Sequence, residues 1–283
     1  GSLPRWAARL VGGGLAVLSY AFWPRLRRVG MFNLKLAFPE WDQAQRRRVL
    51  RGSFRNLGRM LAEFARFPSL TPENVSQVLV YDGFEHFAEA HRKGRGVLYL
   101  TAHFGGWELG SFCHGVYGYP CHFVVRELDN PLLKRLIHRY RDHSGGRAID
   151  KRYFARGILK ALKENQAVGI LFDQNSLLSD GVFVNFFGHP ACTNAGLARL
   201  ALKTGAPVLL SLVVWDERLG KYHIHFEPVD VIRLPHPDRE VEANTALFTE
   251  RIEKFVRRYP DQWLWMHRRW KTRPPGEPPL YPF

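Results

Sequence analysis

The stretch Thr101-Ala102-His103-Phe104-Gly105-Gly106-Trp107-Glu108 holds the residues best placed to do chemistry. An imidazole, two glycines and a carboxylate follow one another within six positions, a set suited to general-base catalysis with a carboxylate behind the base. On a single helix of 3.6 residues per turn, His103 and Glu108 would lie about 140° apart. They can meet only if His103 stays in a turn while Glu108 enters the following helix, and Gly105 and Gly106 allow that bend. Glu108 would then sit near a helix start, where a carboxylate is favoured. A carboxylate bonded to one ring nitrogen sets the tautomer and leaves the other nitrogen as a base. A histidine satisfied by its own neighbours, followed by a capping glutamate, produces the same string, so the spacing alone leaves both open.

The surrounding elements must put those residues at an edge. Gly96–Ala102 is an apolar run of buried-strand type, and Trp107–Val116 reads as a helix. His103 therefore falls at the carboxyl end of a strand, where ligands of open α/β sheets collect. Further strands are expected at 121–126, 167–173, 182–187, 207–215 and 222–227, and helices at 131–141, 153–163, 193–204 and 240–259. Strand–helix alternation of this kind predicts an α/β fold with a mixed central sheet flanked by helices. Upstream, Trp41–Phe67 has helical spacing, with Val49, Leu50, Phe54, Leu57, Leu61 and Phe64 on one side and arginines on the other; Pro39 opens it and Pro68 closes it. Gly1-Ser2 reads as a cloning remnant, leaving one domain over 3–283 with an N-terminal helical portion, 3–67.

Charge narrows the partners. Forty-one Lys and Arg against 26 Asp and Glu give a formal +15, well beyond the roughly 2–8 units that solubility asks of a small domain. Such a surface suits nucleic acid, anionic lipid or an acidic partner. The positive charge is spread over many segments and no helix-turn-helix, zinc-finger or RNA-binding signature is visible, which weighs against nucleic acid. Three unevenly spaced cysteines form no disulfide framework. Leu10–Trp23 carries no charge but is shorter than the roughly 18–20 apolar residues that span a bilayer, and its glycines weaken it; it reads as an interfacial or packed helix. If the chain belongs to a longer one, a membrane anchor would precede it.

The remaining candidates are softer. His223 and His225 share one strand face, a geometry that suits zinc, but with no third ligand nearby an exposed face is the simpler reading. In the tail, His267, Arg268, Arg269, Lys271 and Arg273 alternate with Trp263, Trp265 and Trp270; they suit either phosphates at a bilayer interface or structural packing.

Several blocks, in order, resemble one family. Asn33–Glu40, Thr101–Gly110 with its His-x4-Glu string, Val125-Arg126 with Asp129-Asn130-Pro131, Asp173-Gln174 with Val182–Gly188, and Trp263–Lys271 resemble the lysophospholipid acyltransferase superfamily, in the form of the late lipid A acyltransferases. The resemblance implies a glycerol-phosphate-acyltransferase-like fold and direct transfer of a fatty acyl group from an acyl carrier protein or coenzyme A thioester to a hydroxyl of a glycolipid or phospholipid. His103 would be the base and Glu108 would orient it. Arg126 would hold an oxyanion or a phosphate, with Asn130 on the substrate side. Asp173, at a strand end, is placed with them, a turn-capping carboxylate being the ordinary alternative. No metal, cofactor or nucleophilic Ser or Cys is implied. A monomer at the cytoplasmic face of the bacterial inner membrane is expected, peripheral or anchored by a segment outside this chain. Thioester hydrolysis by the same fold is the competing enzymatic reading.

Overall fold

In the computed structural model the described residues are 3–125, 135, 139–140, 143–146, 148–150 and 154–283. Three helices lead: α1 (Arg5–Phe22), α2 (Pro24–Ala37) and α3 (Gln43–Arg66). Strands and helices then alternate as β1 (Leu79–Asp82), α4 (Phe84–Arg92), β2 (Val97–Thr101), α5 (Trp107–Val116), β3 (Cys121–Val125), β4 (Ala148–Asp150), α6 (Phe154–Lys163) and β5 (Ala167–Leu171). A hairpin of β6 (Gly181–Phe186) and β7 (His189–Asn194), α7 (Gly196–Thr204), β8 (Val208–Asp216), β9 (Lys221–Val229) and α8 (Pro237–Arg258) complete the order.

Seven strands form the central sheet in the order β1-β9-β8-β2-β5-β3-β4. From β8 to β4 every neighbouring pair is parallel; β9 runs antiparallel to β8, and β1 parallel to β9. The sheet is thus mixed, as its strand–helix alternation predicts. Every residue of β2 is buried because helices cover both faces of this central strand. Along β8 the residues alternate between two cores: Val208, Leu210, Leu212 and Val214 face α7, α8 and the C-terminal tryptophans, whereas Leu209 and Val213 face α4 and α5 and Trp215 meets Arg9 of α1 and Arg59 of α3.

Helix α3 starts as its sequence dictates. Asp42 caps it, accepting from the Gln45 N–H at 2.7 Å while the Gln45 side chain accepts from the Asp42 N–H at 2.9 Å. Its apolar side enters the core through Leu50 and Phe54. Helix α1 lies across α3 by way of small residues: a Cβ on Gly12 would come within 2.2 Å of the Gly58 carbonyl oxygen, so the two backbones touch. The large side chains of α1 therefore face away from the protein, with Trp6, Leu10 and Val17 each 68% exposed and Phe22 76%.

Two expectations need correction. The helix expected from Thr193 begins only at Gly196, because Thr193 is paired with Val182 in the hairpin. That hairpin turns at Phe187 and Gly188, both at positive φ (54° and 80°); Pro190 and the lack of alternation conceal β7 in the sequence. Strand β1 and helix α4, too short to show a period, also went unanticipated. The helix expected over 131–141 falls largely outside the described residues.

Candidate active site

Strands β2 and β5 are parallel neighbours in a register that pairs Thr101 with Leu171. Two residues beyond that pair, each chain presents a titratable side chain, His103 from β2 and Asp173 from β5. Their approach follows from equal offsets along adjacent parallel strands. The His103 Nδ1 and Asp173 Oδ1 are 2.9 Å apart, and the His103 backbone N–H donates to Asp173 Oδ2 at 3.1 Å. Trp263 closes the remaining side, its indole N–H donating to the same Oδ2 at 2.7 Å.

Asp173 is buried, and burial alone would raise its pKa; the His103 charge and the three hydrogen bonds outweigh that and hold it below the ordinary carboxylate range. For His103 burial works downward, yet the Asp173 carboxylate, its hydrogen bond and the Glu108 charge together raise the pKa above 6.5. Because Asp173 is acceptor-only when ionised, the neutral imidazole carries its proton on Nδ1 and leaves the Nε2 lone pair outward. The Gln174 amide nitrogen stands 3.3 Å from that Nε2.

The bond expected from Glu108 is thus made by Asp173. Glu108 does enter the first turn of α5, but it acts on His103 through its charge and lines a narrow crevice of about 30 Å³ with Ser111, Cys121 and Phe123 between α5 and the sheet. The reason is geometric: the turn after His103 is pinned from behind, so the ring meets the next strand and not the helix ahead. Asp173, expected among the substrate-side groups or in a turn cap, is bonded to His103 and to Trp263. Arg126 and Asn130 lie outside the described residues.

The turn itself is held rigidly. Gly105 has φ +56°, and a Cβ there would stand 1.6 Å from the Val213 carbonyl oxygen. The Gly105 and Gly106 N–H groups donate to Gln262 O (2.8 Å) and Val213 O (3.1 Å), and the Asn56 amide donates to Gly105 O at 3.0 Å. The Leu264 N–H donates to the His103 carbonyl at 3.1 Å.

Most of the C-terminal block therefore serves this edge from inside. Trp263, Trp265 and Trp270 are at most 1% exposed, and Arg269 is buried with them. The Arg269 guanidinium donates to Gln174 O (3.3 Å) and Cys192 O (2.9 Å), and to Thr193 Oγ1, while the Asn175 N–H donates to His267 Nε2 at 3.0 Å. Burial lowers the His267 pKa to about 4, which suits an acceptor. Asn33, from the first matching block, donates to Trp265 O and His267 O, each at 2.7 Å. Packing, not interfacial exposure, is thus the state of these tryptophans, of Arg269 and of His267. The sequence reading missed Gln174, Trp263, Asn56 and Gln262 as supports of the site; equal offsets of His103 and Asp173 from two apolar runs were the signal available for Asp173.

His223 and His225 also depart from expectation. His225 Nδ1 lies 2.7 Å from Asp82 Oδ2, and both rings line a cavity between β8, β9 and α3. Among the described residues no group of three or more His, Cys, Asp or Glu could hold a metal ion.

Comparison with known proteins places the chain in a family. The family model described as bacterial lipid A biosynthesis acyltransferase matches residues 1–272. The chain is 30% identical to the lipid A biosynthesis lauroyltransferase of Escherichia coli (strain K12) over 276 residues, 96% of this chain and 87% of that protein. It is 30% identical to the palmitoleoyltransferase of the same strain over 280 residues, 99% and 90% of the two. A lipid A biosynthesis acyltransferase of Haemophilus influenzae is 26% identical over 250 residues, 87% and 78%. A family match over almost the whole chain makes it an acyltransferase: it belongs to the bacterial lipid A biosynthesis acyltransferase family.

Proposed function

We propose that this acyltransferase moves a fatty acyl group from an acyl carrier protein or coenzyme A thioester to a hydroxyl of a lipid A precursor or a closely related phosphorylated glycolipid. The observation that carries the reading is the His103–Asp173 pair at the carboxyl edge of the sheet, with Nδ1 engaged at 2.9 Å and Nε2 outward. His103 Nε2 takes the proton of the acceptor hydroxyl, displacing the Gln174 amide. The oxygen attacks the thioester carbonyl, the new C–O bond forms, and the C–S bond breaks. The proton then passes from His103 to the departing thiolate. Asp173 holds the tautomer and stabilises the imidazolium; Glu108 adds negative charge nearby. By the family resemblance, Arg126 would act on the oxyanion or a phosphate and Asn130 on the substrate. No covalent acyl-enzyme and no cofactor enters the scheme.

The exposed face of α1 supports work at a membrane surface. No helix among the described residues is long and apolar enough to cross a membrane, yet α1 turns Trp6, Leu10, Val17 and Phe22 outward. A helix of this kind lies in the interface plane with its apolar side among the acyl chains. The neighbouring cations Arg25, Arg28 and Lys35 of α2 suit the anionic inner leaflet, and the same charges need no nucleic acid to account for them.

The test is transfer of a labelled acyl group from each thioester to a panel of lipid acceptors, with wild type and His103→Ala side by side. A labelled lipid product from wild type alone is expected. Equal product from His103→Ala would overturn the mechanism, and thioester hydrolysis that no acceptor alters would favour a thioesterase.

A further inference from the structure

A second concavity opens on the same side of the sheet as His103, and its chemistry differs. It measures about 680 Å³ and lies where β8 ends and β9 begins, between α3 and the residues after α8. That volume is in the range of small-molecule sites. Four arginines from three separate parts of the chain border it: Arg55 and Arg59 of α3, Arg218 of the β8–β9 turn, and Arg258 at the end of α8.

Three carboxylates, Asp216, Glu217 and Asp261, share the cavity with the four arginines, and only one of them forms an ion pair with an arginine there. Glu217 pairs with Arg59 at 2.7 Å. Asp216 is occupied by the turn, accepting from the N–H groups of Arg218 (2.7 Å) and Leu219 (3.1 Å). Burial pulls the pKa of Asp261 upward, opposed by the charges of Arg59 and Arg55, and it forms an ion pair with neither. Arg55, Arg218 and Arg258 make no ion pair among the described residues.

The wall adds an independent sign. Asn56 Oδ1, Trp215 Nε1 and His223 Nε2 are buried without a hydrogen-bond partner, and all three residues line this one cavity. A buried polar atom without a partner is costly unless something fills the gap. Guanidinium groups outside ion pairs and unmet indole and imidazole nitrogens around one space describe a receptor for a hydrogen-bonding anion. The wall is tied to the reactive turn as well: Asn56 donates to Gly105 O, and the Gln262 carbonyl accepts from the Gly105 N–H at 2.8 Å. Arg9 of α1 lies over the Trp215 ring at 4.7 Å, which sets the membrane-facing helix beside the opening.

We infer that this cavity is a phosphate-ester subsite that holds one phosphorylated substrate while its reacting group is at His103. The inference rests on the acyl-transfer reading above. The phosphate could belong to the acceptor headgroup or to the donor, and the two are separable by experiment. Arg55→Gln/Arg258→Gln removes two rim cations that are exposed, with Arg239→Gln on the far part of α8 as a charge control.

Two measurements decide it. First, titration with inorganic phosphate and with glucosamine 1-phosphate, followed by ³¹P NMR, should show binding to wild type and to Arg239→Gln that weakens about tenfold or more in the double variant, the loss typical of charge-assisted contacts. Second, KM should rise by about the same factor for the substrate that supplies the phosphate. If that is the acceptor, the phosphorylated glycolipid loses its advantage over its dephosphorylated form; if it is the donor, acyl-coenzyme A loses its advantage over acyl-pantetheine. Equal phosphate binding by wild type and double variant, or unchanged KM values for both substrates, would overturn the subsite. Failure of wild type to transfer any acyl group would instead strike the acyl-transfer reading, and the phosphate titration would still decide the cavity.

Discussion

The ends of β2 and β5 and the junction where β8 ends and β9 begins open on one side of the sheet but are built on opposite terms. Around His103 the polar groups are provided for from within the chain. Asp173 receives an imidazole, a backbone N–H and an indole N–H, and the turn is held by Asn56, Gln262 and Leu264. Around the arginine-bordered cavity, polar atoms are left over. Asn56 Oδ1, Trp215 Nε1 and His223 Nε2 have no partner, and three arginines form no ion pair among the described residues. A group that must move a proton benefits from a single fixed geometry, since orientation contributes directly to rate. A group that must receive a charged ligand keeps its bonding capacity open until the ligand comes. The contrast separates a reacting centre from a binding surface without reference to residue type alone.

That contrast can be broken at its most constrained point first. Gly105→Ala should cost more than about 4 kcal/mol, since a backbone clash at positive φ has no side chain to yield; a thermal denaturation curve or loss of soluble protein would register it, and a Tm close to that of wild type would show the turn to be looser than described. Next comes Asp173→Asn. The indole and backbone N–H groups require the amide oxygen on their side, so the amide nitrogen faces His103 Nδ1 and drives the proton to Nε2. Transfer should fall about 10²–10⁴-fold, and the tryptophan packing should survive, as judged by near-UV circular dichroism.

The pH profile sharpens the same prediction. The base must be neutral, and the His103 pKa is raised above 6.5, so wild-type kcat/KM should climb through an inflection on the alkaline side of 6.5. Residual activity in Asp173→Asn should inflect at lower pH, because the carboxylate that opposed burial is gone. An unmoved inflection would detach Asp173 from the base. Trp263→Phe, which keeps the ring and removes one of three donors to Asp173, should cost roughly tenfold in kcat with KM little changed.

The smallest effect is expected on α1, whose outward apolar face is proposed to meet the membrane. Trp6→Ser/Leu10→Ser should weaken binding to vesicles of anionic lipid several-fold and lower transfer to lipid acceptor in proportion. Cosedimentation equal to wild type would remove α1 from the membrane surface.

The comparison of α1 with α3 shows why part of this molecule could be read in advance. In α3 most of the large apolar residues and the arginines fall on different faces, so its extent and most of its inner side follow from period, cap and terminating proline, whereas Leu61, expected inward, is 52% exposed. In α1 the apolar residues are present, but which face is inward depends on Gly12 meeting Gly58, a contact between segments distant in the chain. The tail is similar. Its tryptophans and cations suit a membrane interface or a core equally well by composition, and only their closure over Asp173 and Gln174 made them internal.

What the chain determined alone was local and periodic: the strand before His103, the glycine turn, helix α5, the alternation that requires an α/β sheet, and the ordered blocks that mark the family. What tertiary structure alone decided was which carboxylate the imidazole meets. Glu108 is five residues from His103 and Asp173 seventy, yet the parallel register of β2 and β5 places the distant one at 2.9 Å. The same holds for the arginine-bordered cavity, whose cations come from α3, the β8–β9 turn and the end of α8. Periodicity reports what a segment does with its neighbours in sequence; the pairing of strands, set by burial on both faces of the sheet, determines what faces what across it.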